Sequence, residues 1–234
     1  MPQAVLRGVN QCCKRAQKTG NNEKVEYLWV HLPGSPGGAN DGSKPSLSLD
    51  EWLCVIDESA SIGAKMLIIS VGAPLHQLPQ LLPICDWAQN GHGMTVGIHA
   101  YVRLQEQDED VLGRLDAART RVFADSDVIE SAQFVERIGI PLYCADGFDD
   151  SIVSPKCDLP STMTCVGHEG TLYTCGLVLG QEQYSLGNFF EHKLSHVMDD
   201  ESLPHGIPEG ISHAKHRCNG CPPLMAQRMQ EHSR

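Results

Sequence analysis

Lys65–Val71 reads KMLIISV, a continuous apolar run with no polar residue between Lys65 and Ser70. A strand of this kind is buried on both faces, and such strands belong to parallel sheets whose faces are covered by crossover helices. The flanking chain keeps the same rhythm. Val25–Leu32 reads as a strand, followed by a Pro/Gly-rich loop from Pro33 to Pro45. Ser48-Leu49-Asp50-Glu51 is a capping box, in which a serine and a glutamate three residues on satisfy each other's backbone amides. It opens a helix that places Leu49, Leu53, Ile56 and Ala60 on one face and ends at Gly63.

Beyond the apolar run, Gln77–Gln89 reads as helical, Met94–Val102 as the third strand and Asp108–Ala118 as a short helix. Arg121–Ala124 is the fourth strand, Asp127-Val128-Ile129-Glu130 caps a helix reaching Ile138, and Ile140–Cys144 is the fifth strand. This alternation predicts an α/β fold with right-handed crossovers. Five or so units are too few to close an eight-stranded barrel, so the expectation is a partial, open βα barrel of about five to six units. A doubly wound sheet is the alternative.

From Ser151 the texture changes. Thr162–Val166 and Thr171–Thr174 flank Gly167-His168-Glu169-Gly170 and read as a β-hairpin. A helix is predicted over Leu186–Met198, and a polar tail runs from Pro222, helical after its two prolines. The reading is three regions: an extension over 1–24, the partial barrel over 25–150, and a small β-hairpin/helix metal domain over 151–234.

That last region is marked by cysteines. Cys157, Gly170 and Cys175 give C-x12-G-x4-C, and Cys218-Asn219-Gly220-Cys221 adds a distant C-x2-C. Four thiolates in two groups suit a tetrahedral zinc or a four-cysteine iron–sulfur cluster, and spacing alone does not separate the two. His213 and His216, close to Cys218, offer a mixed zinc site. The other cysteines are Cys12, Cys13, Cys54, Cys85, Cys144 and Cys165. Met1–Gly20 is polar and basic with no long apolar run, so no secretory signal is read and the thiols are expected to be reduced, in the cytoplasm. No stretch approaches the length of a membrane span. A formal net charge of −11 argues against binding a phosphate backbone.

The cysteine spacing, with Tyr184-Ser185-Leu186-Gly187-Asn188-Phe189 after the hairpin, resembles the twitch domain. This is the shortened SPASM domain that follows the partial barrel in many radical S-adenosylmethionine enzymes. The resemblance implies one auxiliary [4Fe–4S] cluster on Cys157, Cys175, Cys218 and Cys221. No cysteine follows Cys221, so a second auxiliary cluster is not expected. Val71-Gly72-Ala73-Pro74 aligns with that family's Gly-Gly-Glu-Pro, and the likeness spans about Val25 to Cys221.

Two departures decide the functional expectation. The family's C-x3-C-x2-C loop is replaced by His31-Leu32-Pro33-Gly34-Ser35-Pro36-Gly37-Gly38-Ala39-Asn40, and the carboxylate that meets the S-adenosylmethionine amino group is Ala73. Glycine, proline and alanine offer iron no ligand. The chain is therefore expected to lack reductive cleavage, not to use S-adenosylmethionine, and to act as an accessory or electron-transfer subunit beside a protein partner.

The rivals are an enzyme using the barrel rim (His31, His99, Cys144, Asp146) with the cluster as staple, and a zinc-stabilised binding module. Glu106, Asp108, Glu109 and Asp110 read as a solvated helix start. No H-E-x-x-H, G-x-S-x-G or Walker motif occurs, and Gly37-Gly38 is a weak phosphate signal.

Overall fold

The computed structural model describes residues 25–34, 45–146, 162–205 and 218–231. The extension, the loop with Gly37-Gly38, and Cys12, Cys13, Cys157, His213 and His216 lie outside the described residues. Five strands, β1 (Tyr27–His31), β2 (Met66–Val71), β3 (Thr95–Ala100), β4 (Thr120–Ala124) and β5 (Leu142–Cys144), pair in parallel and in chain order. On the far side of β1, β6 (Met163–Val166) adds a sixth parallel strand. The antiparallel strands β7 (Thr171–Tyr173) and β8 (Ser185–Asn188) complete one eight-stranded sheet, so the hairpin after the barrel continues the barrel's own edge.

Period-two alternation sends successive strand residues to opposite faces. Leu28, Val30, Leu67, Ile69, Val96, Ile98 and Val122 point to a layer containing Trp52, Val55 and Ile56 of helix α1 (Leu49–Ser61) and Leu81, Ile84 and Cys85 of α2 (Leu81–Asp86). Trp29, Ile68 and Phe123 point to the other face. They meet Cys165, Cys175, Leu177–Leu179 and residues Leu224 and Met225 of a C-terminal helix, Pro222–Glu231. Helices from the crossovers thus cover one face, and the segment after the hairpin covers the other.

The capping box is present: Ser48 Oγ accepts from the Glu51 amide, and Glu51 Oε2 accepts from the Ser48 amide at 2.8 Å. Other expectations are corrected. Gln77–Gln89 is a broken path, a 3-10 turn over Leu75–Gln77, then α2, then a π turn over Trp87–Gly91. The π turn carries the Trp87 indole to Asp57, where Nε1 donates to Oδ1 at 2.7 Å. Leu186 belongs to β8, not a helix; pairing with β7 takes residues 185–188, and the helix is confined to Leu194–Asp199. Asp108 is not solvated but fully buried, accepting from the amides of His76 (2.9 Å) and Gln105 (2.8 Å), with His76 Nδ1 at 2.7 Å. Cys54 is half-buried and disulfide-bonded, against the reduced-thiol expectation.

One position shows how tightly the second face is filled. A Cβ at Gly97 would stand 2.3 Å from Ile68 Cδ1 and 2.7 Å from Phe123 Cε2. Overpacking of this kind costs about 1–3 kcal/mol. Gly97→Ala is expected to lower the urea midpoint accordingly, and adding Ile68→Val to recover part of the loss. An unchanged midpoint would show that the methyl and the ring move aside freely.

Candidate functional site at the barrel mouth

The strand register sets one row across the second face: His31, Ser70, His99, Phe123 and Tyr143 are successive Cα partners. The row lies near the C-terminal ends of the strands, where α/β barrels gather their functional groups. Its β1–β3 members are polar and its β4–β5 members aromatic, with Phe123 and Tyr143 stacked at 5.4 Å. Ser70 Oγ accepts from the Trp29 indole at 2.8 Å. His31 and His99, which the sequence places at a strand rim, are buried rather than rim-exposed, and the C-terminal Gly220 lies against the His99 ring.

That segment is the C-x2-C turn itself. Asn219 Nδ2 donates to Asp125 Oδ2 at 2.9 Å, and the Asn219 carbonyl accepts from the Tyr101 hydroxyl at 3.2 Å. The second Asp125 oxygen lies 2.9 Å from His99 Nε2. Gly220 has φ +75°, and a Cβ there would be 2.0 Å from His99 Nδ1. A side chain at 220 is therefore excluded twice, by backbone conformation and by the imidazole. Among the described residues, the Gly220 backbone lies directly against the His99 ring.

Electrostatics follow from burial. Desolvation, then repulsion from His99, lowers the His31 pKa to about 3, so its ring is neutral at ordinary pH. Burial, then the Asp125 charge, pushes the Tyr101 phenol well above its usual range. Asp146 accepts from Ser126 Oγ (2.8 Å) and from the Cys144 thiol (2.9 Å), and its carbonyl accepts from Arg228 at 3.0 Å. Partial burial pushes the Asp146 carboxyl up, but the Cys144 and Ser126 bonds outweigh it and hold the pKa below the usual value. Burial and the Asp146 bond in turn raise Cys144, which stays a thiol.

The described cysteines of the expected metal set come together in one apolar cluster. Cys175 and Cys221 are buried in it, Cys218 packs against it, and Cys165 lies beside them. Burial, then Cys175 and Cys221, raises the Cys165 thiol well above its ordinary value, which disfavours its thiolate. An all-sulfur donor set in an apolar surround fits a soft metal or an iron–sulfur cluster. Among the described residues no three His, Cys, Asp or Glu are already drawn into a metal-holding group. Cys157 lies outside those residues. Sequence reasoning missed Asp125, Tyr101, Ser70 and Asn219; for Asn219 the available signal was its place between two candidate ligands.

The depressed His31 pKa has a measurable consequence. Below pH 6.5 the unfolded chain takes up a proton at His31 that the folded chain refuses until about pH 3, so stability falls with falling pH across that window. His31→Gln is expected to flatten this part of the stability–pH curve. Parallel curves for variant and parent would contradict the buried, neutral assignment.

No protein-family model matches the chain, and no curated protein matches it in sequence. Solved structures do match. SuiB of Streptococcus suis has a TM-score of 0.55 at 12% identity, over 86% of this chain and 71% of SuiB. SuiB bound to the precursor peptide SuiA gives 0.52 at 12% identity, over 88% and 71%. SuiB bound to S-adenosylmethionine gives 0.50 at 11% identity, over 86% and 69%. At these identities the likeness shows the fold alone, an α/β partial barrel shared with SuiB.

Proposed function

We propose that this chain is a non-catalytic, radical-SAM-like accessory or electron-transfer subunit carrying one auxiliary [4Fe–4S] cluster on Cys157, Cys175, Cys218 and Cys221. The observation that carries the reading is the closed mouth. Among the described residues, the ends of β3 and β4 are covered by the chain's own Asn219-Gly220 turn, which rests on His99 and is bonded to Asp125. The replacement of C-x3-C-x2-C by His31–Asn40, and of the family's glutamate by Ala73, supports the same conclusion. A rim enzyme built on His31, His99 and Asp146 fits less well, since a general base must reach the proton it takes and His99 faces only protein.

When bound, a cysteine-ligated cluster supplies one-electron transfer, generally at low potential. The chain's part is to hold and shield it: the surrounding Leu177, Val178, Leu179, Leu224 and Met225 keep water away from the sulfur cluster. A protein or peptide partner is part of this reading. SuiB, of the same fold, is seen bound to a precursor peptide, and here a partner would meet a surface with a formal charge of −11 over the whole chain.

Anaerobic purification with iron, sulfide and zinc analysis tests the proposal. The expected result is a coloured protein with about four irons and four sulfides per chain. Cys175→Ser is expected to lose both, while Cys85→Ala, in the helix layer, keeps them. Colourless protein with one zinc, or equal loss in both variants, would overturn the cluster assignment.

A further inference from the structure

The turn bearing two of the proposed ligands is held from the opposite side by side chains of the barrel. We infer that Asp125, Tyr101 and His99 form a seat that positions Cys218 and Cys221, so that metal loading and closure of the barrel mouth are one coupled event. The inference rests on the cluster reading above and goes beyond it by naming what outside the ligand set controls the site.

Four observations carry it. Asn219 is buried and fastened on both its side chain and its carbonyl, to Asp125 at 2.9 Å and Tyr101 at 3.2 Å. Asp125 places its second oxygen on His99 Nε2, which fixes the imidazole against which Gly220 rests. The turn closes on itself through Cys221 N to Cys218 O at 3.0 Å. The helix after it is tied to the turn by Met225 N to Cys221 O at 2.9 Å and to the barrel by Arg228 to the Asp146 carbonyl at 3.0 Å.

Apolar side chains would fill this mouth more cheaply, as Phe123 and Tyr143 do one strand away. A satisfied polar network instead specifies one placement of the backbone it holds. Here the backbone held is the two residues between two ligands. Groups that orient metal ligands from behind are worth about 10–100-fold in metal affinity. Coupling between two binding events is reciprocal, so a seat that tightens the metal is tightened by it.

The test uses the full chain loaded anaerobically with iron and sulfide, or with zinc alone. Asn219→Ala and Asp125→Ala are expected to release metal to an external chelator about tenfold faster or more. Tyr101→Phe, which removes one hydroxyl and leaves the ring, is expected to fall between them and the parent; it carries the test if either alanine variant fails to fold. In the parent, loading is expected to slow amide hydrogen exchange at residues 99–101 and 125–126, and Cys221→Ser to abolish that slowing. Release at the parent rate from Tyr101→Phe and Asn219→Ala, or exchange at those residues indifferent to metal, would overturn the coupling while leaving the cluster reading intact. A chain that takes up neither iron nor zinc would overturn both.

Discussion

A parallel sheet has to be buried on both faces, and this chain supplies crossover helices for only one. Everything distinctive about the molecule depends on how the other face is covered. Trp29, Ile68 and Phe123 look onto the segment after the hairpin, with Cys175 and Leu177–Leu179 at one place and Cys221, Leu224 and Met225 at another. The described cysteines of the expected set, Cys175, Cys218 and Cys221, thereby belong to the layer that covers this face. Coverage of the sheet and placement of these cysteines share the same residues. A change in one is felt in the other.

The parts legible in the sequence are those governed by local physics. The apolar run at Met66–Val71, the Ser48/Glu51 capping box and the hairpin around Gly167–Gly170 all stand where local pattern puts them. The parts that were not legible are governed by distant partners. The π turn at Trp87–Gly91 begins at an indole that bonds Asp57, thirty residues before it. Asp108 reads as one of several surface acids, yet two backbone amides far and near make it a buried anchor. Leu186 has helical spacing with the residues after it, but an available edge on β7 offers it a ladder instead.

The candidate site divides the same way. Ligand spacing names Cys175, Cys218 and Cys221, and packing brings them into one cluster with Cys165 as an inert neighbour. Histidines 31 and 99 are found by their position at strand ends, but the groups packed on His99, Asp125 and the Asn219-Gly220 turn, are announced by no local pattern. The α/β partial-barrel fold is shared with SuiB at 11–12% identity. In the proposed reading, His31–Asn40 and Ala73 stand where the radical S-adenosylmethionine family has its cleavage loop and acidic residue, and the Asn219-Gly220 turn lies against His99. The three changes converge on the proposed role, a scaffold kept for holding a cluster and meeting a partner.

Whether this fold carries out S-adenosylmethionine cleavage is most directly tested by its product. The chain, reconstituted anaerobically with iron and sulfide and reduced with dithionite, would be incubated with S-adenosylmethionine and 5′-deoxyadenosine quantified by chromatography with mass detection. The account predicts no 5′-deoxyadenosine above the protein-free control. Formation of that product in amounts that grow with protein and time would contradict it.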